Sequence, residues 1–322
     1  MRKQGFSSII NLFKRPVLIF MVMLCFLPVL NLNPYVYHIV TLALLFASLA
    51  VSWGILASAG QISAGHSTFF GLGAYFSYFA MQYYNISFFV AVFLALIVAD
   101  LAAFSIGYLT FRYGVGGIYF VLCTIAFSAF FSELFITFRE FTGGSLGVSL
   151  AIVERDSFYY FTFTSKIPYY YAAITLFILC YLTVSGLRVF MKRLSVIRAD
   201  EDLAYAIGID VFKYKLLALL LSATFTSLAG SVYLVFIRFI DPEGVFGLWF
   251  SVEIMTVALL GGSTPFGQLL SAFILIPIGE VLRAIFSGVS AGLNLLIYGL
   301  ILALIIAKAP EGLSGLLKRR GS

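Results

Sequence analysis

Charge is what this chain has least of. Only 11% of its 322 residues are Asp, Glu, Lys or Arg, against about 25% in soluble domains, too few to coat a water-facing globule. Histidine and cysteine are scarcer still. His38 and His66 stand far apart and no H-E-x-x-H occurs, so metal catalysis has no ligand set. Cys25, Cys123 and Cys180 each lie in a separate apolar run, which suits buried apolar residues better than a disulfide or metal site. There is no G-x-x-x-x-G-K-[ST], nor any Gly-Lys pair, so the chain is without the P-loop that ATP hydrolysis uses. G-x-S-x-G is also missing. With no clustered acid, base or metal set, the sequence does not read as an enzyme, and no cofactor is expected.

What is present is apolar. Hydrophobic residues make up 62% of the chain and glycine contributes 28 positions. Lipid is the natural solvent for such a composition, and membrane helices use glycine for close backbone approach. The net charge of +6 does not point to nucleic acid, because no basic face with base-stacking aromatics appears. Basic residues instead flank apolar stretches: Arg2, Lys3, Lys14 and Arg15, then Arg188 to Lys215, then Lys308 to Arg320.

A bilayer-crossing helix needs about 20 mainly apolar residues, and only helices or closed barrels satisfy their backbone in lipid. The runs here are continuous, which favours helices over the alternating strands of a barrel. They predict an all-α polytopic bundle of eight to ten spans, at about 16–31, 36–58, 66–84, 88–111, 117–137, 168–190, 216–238, 249–262, 267–287 and 294–308. The short eighth run and the Gly-rich third could be broken or re-entrant. The first run is long for a signal-peptide core and no A-x-A-like site ends it, so it reads as a retained helix. With ten spans the basic segments and Arg112 fall on one side, the cytoplasmic one, together with both termini. The chain then divides into a cytoplasmic arm (1–15), an external loop (138–167), a cytoplasmic loop (191–215) and a cytoplasmic tail (309–322) around a single membrane domain.

The cytoplasmic loop carries a short helix that ends near Gly208, with Asp200, Glu201 and Asp202 at its amino end. Leu203, Ala206 and Ile207 recur at i, i+3 and i+4, giving one small apolar face that must pack on its own bundle or on a partner. Inside the spans stand Asp100, Glu133, Glu253, Glu280 and Arg283. A charge at the bilayer centre costs about 2.5–3.5 kcal/mol on insertion scales, so these face the bundle interior or water. Glu280 and Arg283 are spaced to pair with each other. Asp100 is either a pathway or coupling site, or a structural partner for a polar group on another helix.

The stretch Gly60-Gln61-Ile62-Ser63-Ala64-Gly65-His66-Ser67-Thr68-Phe69-Phe70-Gly71-Leu72-Gly73-Ala74-Tyr75 is the most informative. Small residues among aromatics allow close helix contact, or a broken helix whose freed backbone lines a cavity. It resembles the signature of branched-chain amino-acid ABC-transporter permeases of the LivM type, G-Q-x-S-x-G-H-x-x-F-x-G-x-G-A-Y, with every fixed position filled. Three further stretches resemble the same family in order. They are Arg198–Glu201 to Ala206–Ile209 with Tyr214-Lys215, then Asp241-Pro242-Glu243 with Ser251–Glu253 and Leu260–Gly262, then Ala309–Leu313. The resemblance spans about residues 36 to 315. Leu146 departs from it, standing where an acidic or amide residue is common, as does Ala64, where a larger aliphatic is usual.

The resemblance implies a non-enzymatic permease subunit of an importer in the bacterial or archaeal inner membrane, with branched-chain or related amino acids as cargo. Its partners would be two cytoplasmic P-loop ATPases, a second permease (a different chain or another copy) and an external solute-binding protein, with membrane lipid around them. Asp200, Glu201, Leu203, Ala204, Ala206, Ile207 and Gly208 would form the coupling helix seated on an ATPase. Gly60, Gln61, Ser63, Gly65, His66, Gly71 and Gly73, with Asp100 and Glu253, would line or support the pathway. The alternative is a secondary transporter working alone, for which an inverted repeat with paired broken helices is expected; no such repeat is evident.

Overall fold

The computed structural model describes residues 16–30, 33–150 and 156–286 and the single residue Gly299. The expected last span (294–308), the cytoplasmic arm and tail, and the Ala309–Leu313 motif therefore lie outside the described residues, as do residues 151–155 of the loop expected to be external.

Apolar runs become helices almost where the sequence places them. After the short α1 (Pro16–Cys25) come α2 (Pro34–Ala57), α3 (Ser67–Tyr84), α4 (Phe88–Arg112) and α5 (Gly117–Thr137), then a one-turn α6 (Arg139–Thr142). The second half runs α7 (Ile167–Gly186), α8 (Arg188–Ala199), α9 (Glu201–Ala206), α10 (Val211–Ile237), α11 (Pro242–Phe246), α12 (Leu248–Gly261) and α13 (Pro265–Phe286). Among the described residues, seven stretches are helical, long and apolar enough to cross a bilayer, counting α11 and α12 as one. The Gly-rich α3 is not one of the seven, yet it is enclosed by its neighbours, with Ser67 to Tyr75 buried throughout. The only strands among the described residues are two-residue pieces, β1 (Val148–Ser149) and β2 (Phe239–Ile240), paired antiparallel.

Burial sorts the helices into an inner and an outer set. α2 starts at Pro34, behind an Asn33 cap that accepts the Tyr35 N–H at 2.9 Å, and is mainly apolar and buried without a break from Thr41 to Trp53, with Ser48 and Ser52 among the enclosed residues. α10 packs against α2, α3 and α4 and is buried along most of its length. α4 presents a ridge of Ala91, Ala95, Ala99 and Ala103 inward, each fully buried. The i, i+4 spacing puts these small side chains on one line, so the neighbouring backbone comes close. The opposite face, with Phe93, Ile97, Leu101 and Tyr108, is exposed and suited to lipid.

Loop contacts define two ends. At one, a Cβ on Gly60 would sit 3.3 Å from Arg198 Cα, and the Gln61 amide lies against Gly116. At the other, Phe88 N–H donates to Tyr159 O at 2.9 Å, Arg238 donates to Phe163 O at 2.7 Å, and β1 meets β2. Arg112 and the Arg188–Lys215 segment thus share the first end, as the charge pattern predicts.

Candidate functional site

Two regions hold the residues singled out by sequence. The first is α9. Asp200 adopts an extended backbone and its carboxylate accepts the N–H groups of Asp202 (2.9 Å) and Leu203 (3.1 Å), the standard N-cap arrangement. Gly208 ends the turn at φ +81°, where an added Cβ would meet no atom within 4 Å; what favours glycine there is conformational rather than steric. Glu201 reaches Lys215 at the start of α10, 2.5 Å away, and Arg193 of α8 donates to the Tyr214 hydroxyl. These contacts fasten α9 to the bundle.

The face that α9 turns inward is not the one the apolar spacing named. Ala204 is fully buried, whereas Leu203, Ala206 and Ile207 are exposed, joined by Tyr205. A six-residue helix has room for only one inward position, and the smallest residue takes it. Among the described residues, none covers these apolar side chains.

The second region is the segment from Gly60 to α3. After α2 the backbone leaves helical form and re-enters it only at Ser67. It does so inside the bundle: a Cβ on Gly65 would sit 2.0 Å from the carbonyl oxygen of Thr124, mid-way along α5. Non-helical backbone at that depth needs internal partners. Trp53 Nε1 donates to Ser63 O at 2.8 Å, and the Ala64 N–H donates to Thr124 Oγ1 at 3.2 Å. His66 Nε2 lies 2.7 Å from Ser222 Oγ, and Ser67 bonds Ser128, Ser251 and the Phe246 carbonyl.

Gly71 and Gly73 serve close packing. A Cβ would strike the Phe246 ring at 2.4 Å from the first and Ser227 O at 2.2 Å from the second. Of the Gly-rich residues, Gly60 is exposed, while Gln61, Ser63, Gly65, His66, Gly71 and Gly73 are buried among α2, α5 and α10.

The intramembrane charges separate. Asp100 accepts a hydrogen bond from Thr224 of α10 at 3.0 and 3.1 Å to its two oxygens, so it has a structural partner on another helix. Glu280 and Arg283 pair at 2.9 Å. Glu253 is half-buried, and among the described residues it has no hydrogen bond or ion pair. Glu133 is exposed on α5.

Sequence reasoning missed the other half of this polar seam, on α10. Ser52 and Ser222 exchange hydrogen bonds with each other's carbonyls at 2.6 and 2.8 Å, and Thr226 joins at 2.8 Å. Ser231 meets Ser77 at 2.8 Å and the Gly73 carbonyl at 3.1 Å. A Cβ on Gly230 would lie 2.1 Å from Phe70 O. The signal was available: Ser222, Thr226 and Gly230 step along one face at intervals of four.

Known proteins bear on both regions. The family model for the branched-chain amino acid transport system permease component matches residues 35–306. Two curated relatives are high-affinity branched-chain amino acid transport system permease proteins LivM. That of Salmonella typhimurium is 24% identical over 302 residues, and that of Escherichia coli is 25% identical over 300. Each match covers 85% of this chain and 69% of the relative. No solved structure matches significantly.

Proposed function

The chain belongs to the family of branched-chain amino acid transport system permease components, and from that we propose that it is the membrane subunit of an ATP-driven importer of branched-chain or related amino acids. It forms half of the pathway, pairs with a second permease, receives solute from an external binding protein and is driven by two P-loop ATPases at the opposite face. The end bearing α8 and α9 is cytoplasmic: Arg112, Arg188, Lys192, Arg193, Arg198, Lys213 and Lys215 gather there, as cytoplasmic loops demand.

The observation that carries the coupling role is α9 itself. It is capped, fastened by Glu201 and Lys215, and presents Leu203, Tyr205 and Ile207 outward at the basic end. An apolar helix face projecting from a membrane domain into water fits a helix-in-groove contact. An ATPase that closes on ATP then pushes on a helix tied to α10, and α10 packs on α2, α3 and α4.

The test is purification in mild detergent from the native membrane. Wild-type chain is expected to bring down P-loop ATPases and a second permease, whereas Leu203→Asp/Ile207→Asp keeps the permease and loses the ATPases. Retention of the ATPases with uptake at the wild-type rate would refute the coupling role. Solute movement by the chain alone, without ATP, would replace the importer with a secondary transporter.

A further inference from the structure

A cavity of about 370 Å³ opens at the α8–α9 end, between α2, α7, α8, α12 and α13. That volume is near the lower limit for small-molecule sites, about 300–1,000 Å³, and suits a ligand of amino-acid size. Val51, Ile55, Ile62 and Leu259 form apolar walls. Two polar side chains face in. Arg198 stands at the rim, exposed, and among the described residues it has no hydrogen bond or ion pair. Gln268 lies deeper and is only 5% exposed, and among the described residues its carboxamide has no hydrogen-bond partner. It lies across Gly54, where a Cβ would come within 2.6 Å of its Nε2.

The Gln268 carboxamide lines the cavity and makes no hydrogen bond to a described residue, which leaves it free to bond a ligand there. One wall therefore offers a guanidinium for an anion, another offers the oxygen of a carboxamide for an ammonium, and the space between is aliphatic.

We propose that this cavity is a cytoplasmic-end binding site for an aliphatic α-amino acid. The carboxylate sits on Arg198, the ammonium on the Gln268 carboxamide oxygen, and the side chain lies between α2 and α12. The proposal rests on the reading of the cargo as branched-chain or related amino acids. Arg198 is two residues before the Asp200 cap of α9, and its backbone is held close by Gly60, whose φ of +77° carries the loop across α8. A bound ligand thus bridges α8 to α2 and α13 beside the start of α9.

The experiment measures equilibrium binding of radiolabelled leucine to the purified transporter in nanodiscs, without ATP or external binding protein, with competition by isovalerate and isoamylamine. Saturable leucine binding is expected. Arg198→Gln should weaken leucine and isovalerate by about tenfold or more, the loss of one charge-assisted bond, and leave isoamylamine unchanged. Arg198→Lys should recover part of the loss, and Gln268→Met, of similar length, should weaken isoamylamine. Size-exclusion profiles and melting temperatures confirm that the variants are folded.

Absence of saturable leucine binding, or binding untouched by either substitution, overturns the site. Isovalerate binding as tightly as leucine overturns it in favour of a carboxylate amphiphile such as a fatty acid. Uptake driven by the external binding protein is run alongside. Leucine imported but not bound here sinks the site alone, while no import of any aliphatic amino acid sinks the cargo reading and the site with it.

Discussion

Gly73 of α3 and Gly230 of α10 face each other's helices, and adding one methyl group at either should be costly. A Cβ at Gly73 would sit 2.2 Å from Ser227 O, and one at Gly230 would sit 2.1 Å from Phe70 O. Ordinary contact begins near 3.4 Å, so either alanine forces the two helices apart by about 1.2 Å along that contact. The obstacle is backbone in both cases and cannot swing aside as a side chain could. Overpacking of this kind costs about 1–3 kcal/mol. Separation also stretches the Ser231–Gly73 carbonyl bond and the Ser77–Ser231 bond, interhelical bonds worth about 0.6 kcal/mol each in membrane proteins. Each single variant should therefore lose about 2–4 kcal/mol. Once one alanine has parted the helices, the second meets relaxed geometry, so the double variant should lose at least about 1 kcal/mol less than the sum. Unfolding of the purified protein by SDS titration reads both quantities. Gly186→Ala, where a Cβ meets nothing within 4 Å, is the control and should stay within about 0.5 kcal/mol of wild type. A Gly73→Ala variant as stable as that control, or strictly additive losses, would refute the close-packed seam.

Gly208 should tolerate asparagine far better than valine, because its φ of +81° is open to Asn but costs a β-branched residue about 1–2 kcal/mol. In reconstituted vesicles Gly208→Val should lower solute moved per ATP hydrolysed while Gly208→Asn stays near wild type, and equal coupling in both would remove Gly208 from the mechanism. Thr224→Val leaves the Asp100 carboxylate without its hydrogen bonds and should destabilise by about 1–3 kcal/mol; Thr224→Ser should not, and a melting comparison decides. Asp156, in the loop before α7, accepts from the Thr164 N–H at 2.7 Å and its hydroxyl at 2.9 Å. Those bonds hold its pKa below the ordinary carboxylate value. A depressed folded pKa stabilises above the unfolded value and is lost as pH falls through the folded one. Protection of the Thr164 amide in hydrogen exchange, referenced to a free peptide, should therefore drop on acidification below about pH 4, and Asp156→Asn should remove that dependence.

Span boundaries were legible because hydropathy is local. The runs at 88–111 and 117–137 match α4 and α5 to within a residue. Where charge and fold disagree, the sequence misleads. The loop expected to start at Met191 starts at Leu187, because the apolar residues Leu187, Val189 and Phe190 carry the run past the true turn. The helix expected to start at 216 starts at Val211, because Lys213 and Lys215 belong to its first turns, with Lys215 buried and turned toward Glu201. The basic residues mark where the membrane ends, and the helix continues beyond it.

The candidate site was legible in its small residues and hidden in its partners. A glycine at 65 or 73 announces a close approach, but nothing in the sequence says that Thr124 and Ser227 are what approach. Ser52 and Ser222 stand 170 positions apart and still exchange two hydrogen bonds. That pairing follows from the bilayer. Lipid tails are as apolar as leucine, so burying leucine between two membrane helices gains little, and helices are selected by close backbone contact and by hydrogen bonds that lipid cannot offer. α3 is poor in leucine and rich in glycine, serine and tyrosine, yet it is among the most enclosed helices described. Its low hydropathy and its central position have one cause: a helix surrounded by other helices on every side can carry the hydroxyls and glycines that join them. The same reasoning separates α4, whose alanine ridge faces inward and whose bulky apolar residues face outward, from α9, whose exposed Leu203 and Ile207 lie at the basic end. Lipid accounts for the first set of exposed residues, whereas the second set, at the basic end, is the one that the proposed coupling role assigns to a protein partner.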